Sequence, residues 1–306
     1  MKLSIRSGAA RAALVATAAA LAACGSDSAT GVSATPAQIR VVNSVFQYND
    51  ATSAASKTTP VAIDVLIDSS TNAPGMAAIA PNSIAALTGA NAAGYAPIAA
   101  DVHTFVARLA GDTGPTSTFF TNATTNLPYL PHQYLSASTP YTMVVAGIVP
   151  ATPTNGTNVL VPSTAVPFAM VTDDPFPPPQ VSGAYQARFR VINAAPFTVT
   201  TGATAGAGST LTVYLTPGTA APTTVTGLTA SATAVYRNAS VYINADPGTY
   251  TLTMSNTILG VTRIVAQSAI TLAAGEVRSF VVQSTGYAAV PSPANSKITS
   301  LLDNKY

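Results

Sequence analysis

Apolar and polar positions alternate along several stretches of the chain, most regularly in its C-terminal half. Tyr185, Ala187, Phe189 and Val191 alternate with Gln186, Arg188 and Arg190. Leu211, Val213 and Leu215 alternate with Thr210, Thr212 and Thr216, and Tyr250, Leu252 and Met254 with Thr249, Thr251 and Thr253. A period of two sends one set of side chains into a core and the other into water, as in half-buried strands. Further strands are expected at 233–243, 261–270, 277–283 and 297–302. About seven strands in so short a segment is the number an immunoglobulin-like sandwich needs. Asp246-Pro247-Gly248 supplies a turn that aims Tyr250 into the next strand.

The same pattern occurs twice. Ile39-Arg40-Val41-Val42-Asn43 returns as Phe189-Arg190-Val191-Ile192-Asn193, and Ile63-Asp64-Val65-Leu66-Ile67 as Leu211-Thr212-Val213-Tyr214-Leu215. Asp101–Val106 corresponds to Asp246–Thr251, and Tyr141–Val145 to Arg278–Val282. Phe168-Ala169-Met170-Val171-Thr172-Asp173-Asp174 resembles Ile298-Thr299-Ser300-Leu301-Leu302-Asp303-Asn304. Weak matches in one conserved order identify an internal repeat. The first copy carries extra length at 47–59 and 112–134. Between the copies, Pro175-Phe176-Pro177-Pro178-Pro179 cannot donate a ladder of hydrogen bonds, and 175–184 reads as a semi-rigid linker.

The N-terminus has a different character. Lys2, Arg6 and Arg11 precede an apolar run at 12–23. That run is too short to span a bilayer but has the length of a signal-peptide core. It ends in Leu21-Ala22-Ala23-Cys24, which resembles the bacterial lipobox. The resemblance implies a diacylglyceryl group on the Cys24 sulfur, cleavage before Cys24 and acylation of the new amino group. Two or more acyl chains hold a protein stably on a membrane where one does not. By resemblance to Gram-negative lipoproteins, Gly25 rather than Asp after the cysteine implies export to the outer membrane. The competing reading is an ordinary secretory leader with an incidental cysteine.

The expected fold class is therefore all-β. Two tandem immunoglobulin-like β-sandwich domains, 38–174 and 185–306, follow a lipoprotein signal peptide (1–23) and a flexible lipidated tether (24–37). The small, polar sequence GSDSATGVSATPA suits that tether.

Composition narrows the function classes. Charged residues make up 8% of the chain, too few for coiled coils or long solvated helices. Thirteen basic residues face eleven acidic ones, and three of the basic ones lie in the leader. No large field remains to attract nucleic acid. With Cys24 used for lipid, no second cysteine exists for a disulfide.

The Arg-Val-(Val/Ile)-Asn strands, Val65-Leu66-Ile67, Pro247-Gly248-Thr249-Tyr250 and the closing Thr172-Asp173-Asp174 together resemble the domain-of-unknown-function family 4397. Asn193-Ala194-Ala195-Pro196 is near the family's Asn-Ala-Ser-Pro, while Asn43-Ser44-Val45-Phe46 departs further. The resemblance implies a β-sandwich found in tandem in bacterial envelope proteins, with no established chemistry.

Candidate chemistry is sparse. The two histidines, His103 and His132, fall short of an ordinary zinc site, which needs more nitrogen or sulfur ligands. His103 is expected in a strand. His132 sits in a Pro- and Tyr-rich stretch read as a loop, where Tyr129, His132 and Tyr134 form the candidate ligand-contact set, with Tyr141 as a further wall of an exposed cleft. Glu276 is expected as a solvated turn residue. Asp64 and Asp68 lie about 13 Å apart along a strand, too far to share one ion. No nucleophile elbow, His-Glu-x-x-His or Walker motif occurs. The expectation is a non-catalytic, membrane-anchored module with an envelope protein or glycan as partner and no cofactor. The alternatives are a structural spacer and, behind it, an envelope hydrolase.

Overall fold

The computed structural model describes residues 35–48, 58–68, 76–79, 83–86, 94–111, 130–149, 168–173, 176–195, 210–258, 260–284 and 292–306. The leader, Cys24, most of the tether, and Tyr129 lie outside the described residues. The described chain is built of strands, with one 3-10 turn at Pro293–Asn295.

The first half supplies β1 (Ala37–Tyr48), β2 (Thr58–Pro60), β3 (Ile63–Ile67), β4 (Met76–Ile79), β5 (Ser83–Ala86), β6 (Ala96–Ile98), β7 (Val102–Leu109), β8 (Leu130–Tyr134), β9 (Pro140–Val149) and β10 (Phe168–Thr172). A two-residue hairpin follows, β11 (Gln180–Val181) and β12 (Ala184–Tyr185). The second half supplies β13 (Ala187–Asn193), β14 (Leu211–Pro217), β15 (Ala232–Ala234), β16 (Ile243–Ala245), β17 (Gly248–Ile258), β18 (Val261–Leu272), β19 (Glu276–Ser284) and β20 (Ser296–Lys305).

Each half is a two-sheet sandwich. The second pairs its strands in the orders β16-β13-β19-β20 and β15-β14-β17-β18. The first repeats this as β10-β9-β1 and β4-β3-β7-β8, with β2, β5 and β6 along the free side of β1. In both, the first strand runs parallel to the penultimate one: Ile39 faces Tyr141 and Phe189 faces Arg278. The all-β, tandem-sandwich class expected from the alternation is the one observed. The hydrophobic sets expected to point inward do so: Phe189, Val191, Leu211, Val213, Leu252 and Met254 share one core, and Ile39, Val41, Ile63, Val65 and Phe105 share the other.

Three expectations are corrected. The segment 233–243 is not one strand: β15 and β16 are separated by a turn in which Arg237 takes φ 63°. A left-handed non-glycine residue cannot continue a ladder. The match of Asp101–Val106 to Asp246–Thr251 is out of step by two residues. Pairing sets Val65 opposite Ala107 and Val213 opposite Met254, so His103, not Phe105, is the counterpart of Tyr250. A slip of two keeps each side chain on its face, and alternation alone cannot detect it. Finally, Leu130–Tyr134, read as a loop, is the edge strand β8 on β7.

The largest departure concerns the face expected in water. Arg190 is 2% exposed and Ile192 is fully buried. That face of each sandwich packs against the other through Val42, Val144 and Val171 of the first and Ile192, Val281 and Leu301 of the second. Alternation correctly separates the two faces of a strand but says nothing about what covers either.

Candidate functional site

The repeated tetrapeptide explains itself residue by residue. Val41 and Val191 enter their own sandwich cores. Val42 and Ile192 enter the cluster between the sandwiches. Asn43 donates from Nδ2 to the carbonyls of Val61 (2.8 Å) and Ile79 (2.9 Å), while its Oδ1 accepts the Val45 N–H at 3.0 Å. Asn193 repeats this toward Ala234 and Ala195, each at 3.3 Å. Ile79 and Ala234 belong to the opposite sheets, so each asparagine stitches one sheet to the other. A buried amide needs several partners, and this corner supplies them.

The arginines cross over. The Arg40 guanidinium pairs with the Asp303 carboxylate of the second sandwich, and Arg190 pairs with Asp173 of the first. The side chains of both pairs are buried. Arg40 Nη1 also reaches the Leu302 carbonyl at 3.5 Å, and Arg190 Nη1 the Thr172 carbonyl at 2.8 Å. Each Nε–H turns back to its own sandwich, Arg40 to Thr142 Oγ1 and Arg190 to Ser279 Oγ, both at 2.9 Å. Those hydroxyls donate onward to Asp173 Oδ2 (2.8 Å) and Asp303 Oδ2 (2.7 Å). A tyrosine ring covers each guanidinium: Tyr95 at 4.3 Å from Arg40 and Tyr242 at 4.8 Å from Arg190. Their hydroxyls donate to Asp173 and Asp303 respectively.

Two cations and two carboxylates thus lie together in the interface, each within ion-pair distance of an opposite charge. Charges removed from water are tolerated only with such pairing. Burial pulls Arg190 below the ordinary arginine value, opposed by Tyr242 and Asp303. Burial also pushes the Tyr95 hydroxyl well above the ordinary phenol range, against the pull of Arg40, so it stays a donor. The sequence displayed Arg40, Arg190, Asp173 and Asp303 as repeat residues, but not their pairing. The available signal was a charge returning at the same position of the repeated strand.

The other candidates are dispersed. His103 is buried at a corner: Nδ1 meets Asp68 Oδ2 at 2.5 Å and Nε2 meets the Ala99 carbonyl at 2.8 Å. Its counterpart Tyr250 reaches back likewise, its hydroxyl donating to the Asp246 carbonyl four residues upstream at 2.8 Å. With both ring nitrogens engaged, His103 offers no free lone pair to a metal. Burial raises Asp68, but the Thr104 N–H and His103 outweigh it and hold the carboxyl below its ordinary value. Asp64, on β3, accepts the Gly111 N–H at 3.2 Å. Glu276 is not a solvated turn residue: it is 7% exposed, and its Oε2 accepts from Arg278 Nε (2.8 Å) and the Ala273 N–H (3.1 Å). The Arg278 contact holds Glu276 below the ordinary carboxylate range despite burial.

Of the candidate contact set, Tyr134 is 66% exposed at the end of β8, opposite Val102, itself 47% exposed. His132 lies on the same strand. Tyr141 is not part of an exposed cleft: it is 7% exposed and its hydroxyl accepts the Ser136 N–H at 3.0 Å. An open groove of about 630 Å³ lies elsewhere, on the second sandwich, between the 221–226 segment and β18. Pro222, Thr224, Thr226, Thr262, Arg263 and Gln267 line it. No group of three or more metal-ligating side chains occurs among the described residues.

These features define a tandem β-sandwich protein whose modules are joined by a reciprocal, buried charge cluster. No family model matches the chain, and no curated protein does. Among solved structures, it is similar to a “putative cell adhesion protein” of Bacteroides ovatus, at 11% identity and a TM-score of 0.22 over 90% of this chain and 99% of that one. Another protein of that name, from Bacteroides eggerthii, gives 12% identity and a TM-score of 0.20 over 89% and 97%. A leucine-rich repeat protein of Bacteroides thetaiotaomicron gives 10% identity and a TM-score of 0.19, and the chain spans 26% of its length while 84% of this chain is covered. Scores this low carry no inference for this chain.

Proposed function

We propose that this protein is lipid-anchored at the cell envelope through Cys24 and that its two sandwiches form a non-catalytic binding or adhesion module, related to the domain-of-unknown-function family 4397. One observation carries this reading. The buried charged groups of the repeat motif are engaged in holding the modules together, whereas the open surfaces offer contact chemistry. Tyr134 beside Val102 presents an amphipathic aromatic edge, and the second-sandwich groove presents threonine hydroxyls beside the Arg263 guanidinium. Such surfaces suit an envelope protein or a glycan. The outer membrane is the expected site, with the diacylated or triacylated Cys24 as the anchor.

A glycan array and an envelope pull-down test the binding. Tyr134→Ala and Arg263→Ala, both surface changes, are expected to weaken capture at least tenfold at one of the two surfaces without altering folding. Blank results in both assays with the parent protein sink the reading and leave a structural spacer, which the locked junction of the two sandwiches also favours. Anchoring is separate: Cys24→Ser is expected to release the protein from membranes and abolish the acyl mass increment. Unchanged retention overturns it.

A further inference from the structure

We propose that the arginine-bearing face is a self-recognition surface: a module of this type binds another of its own kind through a two-fold interface, and this chain holds such a pair in one polypeptide. The observation is reciprocity. A two-fold interface uses the same patch on both partners, so that if residue i meets j, then j meets i. Arg40 meets Asp303, and their counterparts Arg190 and Asp173 meet in return. The carbonyl preceding each aspartate, Leu302 or Thr172, accepts from the opposing Nη1. Six of the eight buried residues of the apolar cluster are equivalents too: Val42 with Ile192, Val144 with Val281, Val171 with Leu301. The counterparts are fixed by strand pairing, not by choice of residue. Val42 faces Val144 as Ile192 faces Val281, and Thr172 faces Tyr141 as Leu302 faces Arg278.

Two unrelated domains meeting on a linker have no reason to oppose the same positions with the same residue types. A head-to-tail contact would set different patches together. Each module carries both halves of the complementarity, an arginine and an aspartate, so either could pair with a copy of itself. Two C-terminal modules would set Arg190 of one against Asp303 of the other.

The first step of the test leaves the buried face untouched. A protease site placed at Phe176, which is 68% exposed, allows the folded full chain to be cut between its halves. Native mass spectrometry and gel filtration then follow the nicked protein. The proposal expects the halves to remain together at the size of the uncut chain. After prolonged incubation with an isotope-labelled nicked sample, it also expects exchanged pairs and a species made of two C-terminal halves. Halves that separate on cutting overturn it. So does a nicked protein that exchanges only unlike halves, since that is recognition between different partners. Arg190→Glu in the nicked chain is expected to abolish the paired C-terminal species, and Arg190→Glu with Asp303→Arg to restore it. A paired species unaffected by Arg190→Glu would place the contact on another face and overturn the assignment.

Discussion

Arg40 and Arg190 hold the same position in their modules, but their surroundings are unequal. Asp173 is met by Arg190, by the Tyr95 and Thr142 hydroxyls, and by Arg40 at 3.7 Å. Asp303 is met by Arg40 and Ser279, with the Tyr242 hydroxyl at 3.5 Å. Tyr242 is also shared between two guanidinium groups, Arg188 and Arg190, each 4.8 Å from its ring. Gln283 crosses to the Asn43 carbonyl at 3.0 Å, while Ala146, its counterpart, cannot. The ion-pair exchange is retained in both directions, and the polar periphery has diverged. A buried charge tolerates a change of hydroxyl or ring around it far better than the loss of its counter-charge.

The sharpest way to break this comparison is to remove each arginine in turn. Arg40→Ala strips Asp303 of its only close cation among the contacts described and is expected to cost about 3–5 kcal/mol in urea unfolding. Arg190→Ala leaves Asp173 within reach of Arg40 and two hydroxyls, so its cost is expected to be smaller. Equal losses would show that the diverged periphery has no energetic weight.

A smaller effect separates the turns before the penultimate strands. Ser138 and Gly275 both take left-handed conformations, φ 58° and 75°, and both donate a backbone N–H across the module start, to the Pro36 and Gln186 carbonyls. Gly275→Ala sets a Cβ 2.3 Å from the Tyr306 carbonyl oxygen and is expected to lower stability by about 1–3 kcal/mol. Ser138→Gly removes a left-handed non-glycine residue and is expected to leave stability unchanged or raise it by under about 1 kcal/mol. Thermal unfolding of both variants checks the sign.

The smallest effect is in acid. Glu276 has no carboxylate counterpart in the first module, where Thr139 stands at that position. Its folded value lies below the ordinary one, so the Arg278 contact stabilises above the ordinary glutamate range and is lost as pH falls through the folded value. Glu276→Gln is expected to flatten the pH dependence of Tm over that acid window. A parallel pair of curves would remove Glu276 from the account.

Much of this architecture was legible in the alternation. Phe189, Val191, Leu211 and Leu252 turned inward as the period of two required, because a sandwich core is satisfied by any apolar row. The ordered repeat was legible because strands in equivalent places need the same pattern. The site was not. Arg190 alternated with core residues and therefore read as a water-facing side chain. Its burial depends on the first module, whose Thr172 and Asp173 lie just across the linker, and alternation within a strand carries no sign of that neighbour. Glu276 was misread because a residue after a glycine turn is ordinarily solvated; here Arg278 binds its carboxylate and β20 pairs alongside it. Tyr141 was a candidate wall of an exposed cleft, yet its ring belongs to the first core and its hydroxyl accepts the Ser136 N–H.

The span of the Arg40–Asp303 pair, 263 residues, sets an order of assembly. A polypeptide emerging from the ribosome presents Arg40 on β1 and Asp303 only near the end of β20. Until β20 is made, Arg40 lacks its carboxylate and the adjoining valines lack their cover. Contacts so distant in sequence form late and slowly, so the final packing of the first sandwich waits on β20.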